Sequence, residues 1–185
     1  MRRSREDTAA TRRAIIESAS RLFRERGIAA TSVADVMGSV GLTVGGFYRH
    51  FDSKETLVAE AIALASRQTT LARETRLEGI LNQYLSNAHR LNPAHGCPVA
   101  ALCSEVAHEP GATKEAFTEA LQRLIEIVSD AFPESSRRRR DVLHAASSAV
   151  GALVLARATS DDKLARDLLA ATHEKLLEGR RQKIK

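Results

Sequence analysis

The stretch GLTVGGFYRHFDSKETL, residues Gly41–Leu57, sets two adjacent glycines, Gly45 and Gly46, where the apolar spacing asks for a helix. A glycine in a helix interior costs roughly 1 kcal/mol relative to alanine. Accepting that cost twice, just before Tyr48, Arg49 and His50, implies that something must approach the backbone closely. Upstream, in TSVADVMGSVGLT, Ser32 can cap a helix and Asp35 can answer it, a capping box with Asp in place of Glu. Val33, Val36, Met37 and Val40 recur at helical spacing, which predicts a helix over 33–40 that Gly41 breaks. Thr43 is placed to cap a second short helix whose buried face is Val44, Phe47, part of Tyr48, and Phe51. Helix, glycine-bearing turn, short helix is the helix-turn-helix pattern, here over 32–51.

The flanks agree with it. Ile15, Ile16, Ala19, Leu22 and Phe23 share one helical face, and Gly27 is a natural stop. After the motif, Asp52 or Ser53 can cap a longer helix, with Glu55 three residues beyond Asp52. That helix runs from Lys54 past Arg67, with Leu57, Val58, Ala61, Ile62 and Ala65 inward. Charge is uneven: residues 1–54 hold ten Lys/Arg against six Asp/Glu, and residues 55–185 hold eighteen against seventeen. A basic excess on the quarter that carries the glycine pair is the footprint of a nucleic-acid binder.

Composition bounds the rest. The chain has 185 residues, 43% of them hydrophobic, enough for a real core, while Ala, Leu, Arg and Glu dominate and no alternating β-branched runs stand out. An all-α fold follows, with further helices at about 77–91, 98–108, 112–132, 137–158 and 162–178. Pro98 suits the first turn of its helix. The opening residues MRRSREDTAATRR are polar with no apolar run behind them, and AASSAVGALVLA (145–156) is short and rich in small residues, so neither a secretory leader nor a membrane span is expected. A cytoplasmic protein fits these features. No G-x-S-x-G, H-E-x-x-H, P-loop or dinucleotide fingerprint occurs, which argues against an enzyme.

Residues 11–57, and most tightly GIAATSVADVMGSVGLTVGGFYRHFDSKETL, resemble the N-terminal head of the TetR family of bacterial transcriptional regulators. The shared features are the glycine ending the first helix, Thr31-Ser32, Gly41-Leu42-Thr43, Gly45, Tyr48, His50-Phe51 and Ser53-Lys54-Glu55. The resemblance implies a three-helix DNA-binding head over 1–67, joined by a fourth helix to a ligand-binding and dimerisation body over 68–185. It implies base-facing positions at Thr43, Val44, Gly45 and Gly46, and phosphate contacts from Tyr48, His50, Lys54, Thr31 and Ser32. Arg49 could reach either backbone or base. Val44 stands where the family often has a polar or basic reader, so phosphate contacts and DNA shape are expected to carry much of the affinity. Arg2, Arg3, Arg5, Arg12 and Arg13 read as a solvated tail or as a minor-groove arm.

For the body, the resemblance implies a homodimer through the last two helices, with Leu164, Leu168, Leu169, Leu176 and Leu177 as a stripe, since two heads must fit half-sites about 34–36 Å apart. It also implies an apolar or amphipathic small-molecule effector, lodged among Leu81, Tyr84, Leu102, Val106, Phe117, Leu121 and Leu124, and a leaning toward repression of a palindromic operator. No cofactor is expected. His95, Cys97, Cys103 and His108 match no usual zinc spacing, so no metal is expected either. Cys97 and Cys103 lie roughly 120° apart around a helix and are poorly placed to bond to each other. Cys97, beside Pro98 at a helix start, offers an alternative in which the regulator is switched by oxidants or electrophiles; a buried structural cysteine is the plainer reading.

Overall fold

The computed structural model describes residues 5–69, 71, 75–109, 111–132 and 138–181, and among these residues every regular element is helical. The first helix, α1 (Arg5–Arg26), carries Glu6 and Asp7 in its first turn and Arg24 and Arg26 in its last, each sign suited to its end of the helix dipole. It stops at Gly27, which sits at φ +91 and accommodates the left-handed turn. Helix α2 (Val33–Ser39) opens with the expected capping box: Ser32 Oγ accepts the Asp35 N–H at 3.1 Å and Asp35 accepts the Ser32 N–H at 2.8 Å.

The next element is a six-residue 3-10 helix, Val44–Arg49, tighter than the α-helical turn that the spacing suggests. Two glycines in so short a segment leave little to favour the α form. Thr43 holds the N-cap position, but its hydroxyl makes no capping bond. Helix α3 (Lys54–Arg67) is capped by Ser53, which accepts the Thr56 N–H at 3.1 Å. Glu55 takes no part in that cap and instead accepts the Ala112 N–H at 3.1 Å.

The helix expected over 77–91 is two, α4 (Leu77–Tyr84) and α5 (Asn87–Leu91), because Ser86 stops one and caps the other through the His89 N–H. A short 3-10 turn, Pro93–His95, leads into α6 (Pro98–Val106), with Pro98 in its first turn. Then come α7 (Gly111–Asp130), α8 (Arg139–Ala158) and α9 (Asp162–Arg181). By length and composition α8 could cross a membrane, yet Val142, Ala145, Ala149, Leu153 and Ala156 are buried against other helices of the protein.

One apolar core runs from the first helix to the last. Helix α3 joins its two halves, packing on α1 and on α7. Helix α1 also meets α6 and the Pro93–His95 turn, so the head touches the body through more than one element. Glu105 of α6 reaches back to accept the Ala29 N–H at 2.9 Å, just past the turn at Gly27. A side chain at Gly27 would place its Cβ 2.5 Å from that carboxylate. Gly27→Ala therefore combines a strained left-handed backbone with a displaced Glu105, and chemical denaturation should show a loss of about 2 kcal/mol.

Candidate nucleic-acid interface and an adjoining cleft

The outer surface of the 3-10 helix is defined by what its inner side buries. Phe47 and Phe51 are buried and stacked at 5.5 Å between centroids, and Tyr48 meets the edge of Phe47 at 5.3 Å while itself remaining 74% exposed. Thr43, Val44, Gly45, Tyr48 and Arg49 form a continuous exposed strip, with Gly46 half-buried against Met37. A Cβ added at Gly45 would meet nothing within 4 Å, and one at Gly46 would touch only Met37 Cε at 3.6 Å. Neither glycine has a positive φ. Packing and backbone conformation among the described residues thus require neither to be glycine.

Several residues that the family resemblance assigns to phosphate have other employment. Thr31 is fully buried, and its hydroxyl donates to the Gly27 carbonyl at 2.7 Å, so it closes the turn after α1 and cannot reach DNA. The Lys54 ammonium donates to the Ile28 carbonyl at 2.6 Å and lies near the Phe23 ring, pinning the start of α3 inward. Ser32 is exposed, though its hydroxyl is engaged with Asp35. His50 is half-buried beside Phe51, and its carbonyl accepts the Arg12 Nε–H at 3.2 Å.

Arg12 belongs to neither a tail nor an arm. It pairs with Glu60 through two contacts of 2.5 and 2.6 Å and lies 4.5 Å over the Phe51 ring, locking α1, the 3-10 helix and α3 together. The hydrogen bonds to Glu60 raise its pKa above the ordinary arginine value. Arg2 and Arg3, and the side chain of Arg5, lie outside the described residues.

The residues expected to line a ligand pocket are packed interior instead. Leu81, Tyr84, Leu102, Val106 and Leu124 are buried in the core, and Phe117 and Leu121 lie half-buried against it. Leu81, Tyr84 and Leu124 border a void of about 10 Å³, no larger than one water. A half-open cleft of about 430 Å³ lies where the head meets the body, floored by Arg24, Ala65, Gly96 and Cys97, with Gln68, His89 and His95 among its walls, and a shallower hollow of about 290 Å³ lies beside Leu81, Leu85 and Leu169. Composition could not announce the cleft, because its residues come from three separate stretches of chain, at 24, 65–71 and 83–97.

Comparison with known proteins fits this architecture. Residues 15–61 match the family described as bacterial regulatory proteins, tetR family. The probable HTH-type transcriptional regulator ArpR of Pseudomonas putida is 39% identical over 83 residues, which make up 44% of this chain and 40% of that protein. Residues 15–61 carry the DNA-binding head of the TetR family. Its relatives of known kind are transcriptional regulators, not enzymes. The match spans about 40% of the length of ArpR and is strongest in the head. For the whole fold, a TetR-family regulator from Cytophaga hutchinsonii superposes with a TM-score of 0.73 at 23% identity, covering 95% of this chain and 94% of that one. AibR, solved with isovaleryl coenzyme A and operator DNA, superposes with a TM-score of 0.60 at 18% identity, covering 87% of this chain and 97% of that one.

In this chain the cleft wall is fixed by a half-buried histidine. His89 Nδ1 lies 2.7 Å from the Tyr84 carbonyl, and His89 Nε2 accepts the Cys97 N–H at 3.0 Å. Both bonds are made only by the neutral ring with its proton on Nδ1. Burial, against a smaller opposing effect of the Tyr84 carbonyl, pushes the His89 pKa below the ordinary value of 6.5. The unfolded chain therefore takes up this proton first as pH falls, and stability is complete above pH 6.5 and lost below it. Urea unfolding should show stability falling below that point, with up to about 1.4 kcal/mol per pH unit from this one group. The slope should be shallower in His89→Gln.

Proposed function

We propose that the protein is a cytoplasmic, homodimeric repressor that binds a palindromic operator through Thr43–Arg49 and is released by a small molecule held in the cleft. The observation that carries the DNA-binding part is the pair Gly45 and Gly46, small where nothing among the described residues demands it, on a face braced by Phe47 and Phe51. A side-chain-poor helix lets the backbone approach the groove, where Val44 can meet thymine methyl groups and Thr43 can donate. Tyr48, Arg49, His50 and Ser32 flank that strip as phosphate contacts. The withdrawal of Lys54, Arg12 and Thr31 inward reduces the number of such contacts.

Two features support the dimer. An open arc of α8 carries Leu143, Ser147, Gly151, Val154 and Leu155, and Leu164 stands exposed on α9. Of the stripe expected on α9, Leu169 is instead buried within the chain. Effector control follows from where the cleft lies. Arg24 on α1 and Ala65 on α3 both border it, so a molecule entering it acts on the two helices that set the pose of the head. AibR, of the same fold, holds an acyl thioester and operator DNA in one crystal structure. A second reading, a thiol switch at Cys97, draws on the position of that buried residue on the cleft floor. Operator release by an oxidant that persists unchanged in Cys97→Ser excludes it.

Selection of bound fragments from genomic DNA supplies the operator for the decisive test. Gly45→Ala should stabilise the free protein by about 0.5–1 kcal/mol yet weaken operator binding roughly tenfold, about 1.4 kcal/mol. Arg49→Gln should lower the salt slope of binding by about one per half-site, whereas Lys54→Gln should leave it unchanged. A monomer by light scattering, or no preference for any palindrome, would refute the reading.

A further inference from the structure

Among the described residues, the floor of the cleft presents a cation that no carboxylate neutralises. The Arg24 side chain belongs to a residue only 8% exposed, and its three hydrogen bonds all go to neutral oxygens: the Ser20 carbonyl at 2.8 Å, Ser20 Oγ at 3.2 Å and the Gly96 carbonyl at 2.7 Å. Among the described residues no carboxylate lies within 4 Å of it, and the cleft lining holds no Asp or Glu. A guanidinium has five N–H donors, so two are left over after these three bonds among the described residues.

A second guanidinium lies just behind. Arg157 donates to the His89 carbonyl at 2.8 Å and to the Arg90 carbonyl at 3.3 Å, while its Nη1 is buried with no hydrogen-bond partner. It backs onto Gly96, where a Cβ would come 2.8 Å from Arg157 Nη2. Burial lowers the pKa of both arginines, that of Arg24 to about 10, so Arg24 stays charged at neutral pH. Buried charges are ordinarily paired, and the unpaired state is costly. The surrounding groups suit a small organic partner: Gln68, Thr69 and Asn92 can hydrogen-bond to it, and Ala65, Leu71 and Ala88 give it an apolar bed.

We infer that the cleft binds a small organic acid, its carboxylate set against Arg24 and its apolar remainder lying on Ala65, Leu71 and Ala88. The planar fork of a guanidinium matches a carboxylate through paired N–H···O bonds. This rests on the reading of the cleft as the effector site and names the chemistry of the effector. It also supplies the coupling. The Arg24 bond to the Gly96 carbonyl ties α1 of the head to the body, and an anion competing for that guanidinium loosens the tie.

The test uses the full chain with benzoate, hexanoate and inorganic phosphate, beside benzamide and hexanamide as uncharged counterparts, at fixed ionic strength. The expected result is a saturable rise in Tm and a shifted Arg24 Nε–H resonance with a carboxylate, and neither with its amide. Arg24→Gln should weaken carboxylate binding at least tenfold. Ala88→Trp, at an exposed rim position, keeps the guanidinium and blocks the space, so it should also abolish binding; it serves if Arg24→Gln does not fold. Carboxylates that bind no better than their amides, binding by phosphate alone, or carboxylate binding unchanged in Ala88→Trp would each overturn the inference. Operator affinity is measured on the same preparations without added acid, so that failure to bind DNA sinks the regulator reading while leaving the anion result to stand or fall by itself.

Discussion

The 3-10 helix has two glycines at its centre and sinks only Phe47 into the core, so its pose must be imposed from beneath. Phe47 and Phe51 do this by burial, and Phe51 in turn lies under Arg12, which Glu60 holds from α3. The short helix is therefore fastened to α1 and α3 together rather than to its partner α2 alone. Removing a fully buried phenylalanine typically costs about 3–5 kcal/mol. Here such a loss would fall on the one element whose orientation matters most. Everything proposed about recognition and release depends on that fastening being rigid.

Charge in the head turns out to serve three ends. Arg49 stays outside and available. Arg12 and Lys54 are turned inward to hold helices in place, one on Glu60 and one on the Ile28 carbonyl. Arg24 is buried at the seam with the body. A count of basic residues along the sequence cannot separate these uses, because each depends on which neighbour the fold delivers. Glu60 and Gly96 are distant in sequence from the arginines they meet.

Local signals are legible in the sequence for the same reason in reverse. The Ser32–Asp35 box, the stop at Gly27 and Pro98 at a helix start are decided within a few residues, and spacing alone reveals them. The break at Leu85 and Ser86 was missed because apolar periodicity continues through it while a capping serine ends the helix. Thr31 looked like a contact residue by family position, but its hydroxyl is spent on the turn after α1. The cleft was invisible in outline. Apolar residues at helical spacing became core, and the open space formed where polar residues from separate segments meet.

The sharing of α3 between two packing partners bears on how such proteins can be recombined. A fragment ending at its last turn would leave the side that meets α7 bare. The front third is thus no detachable cassette. Chimeras that swap it between relatives must carry over the matching surface of α7, together with the Glu105 and Gly96 seats on the receiving side.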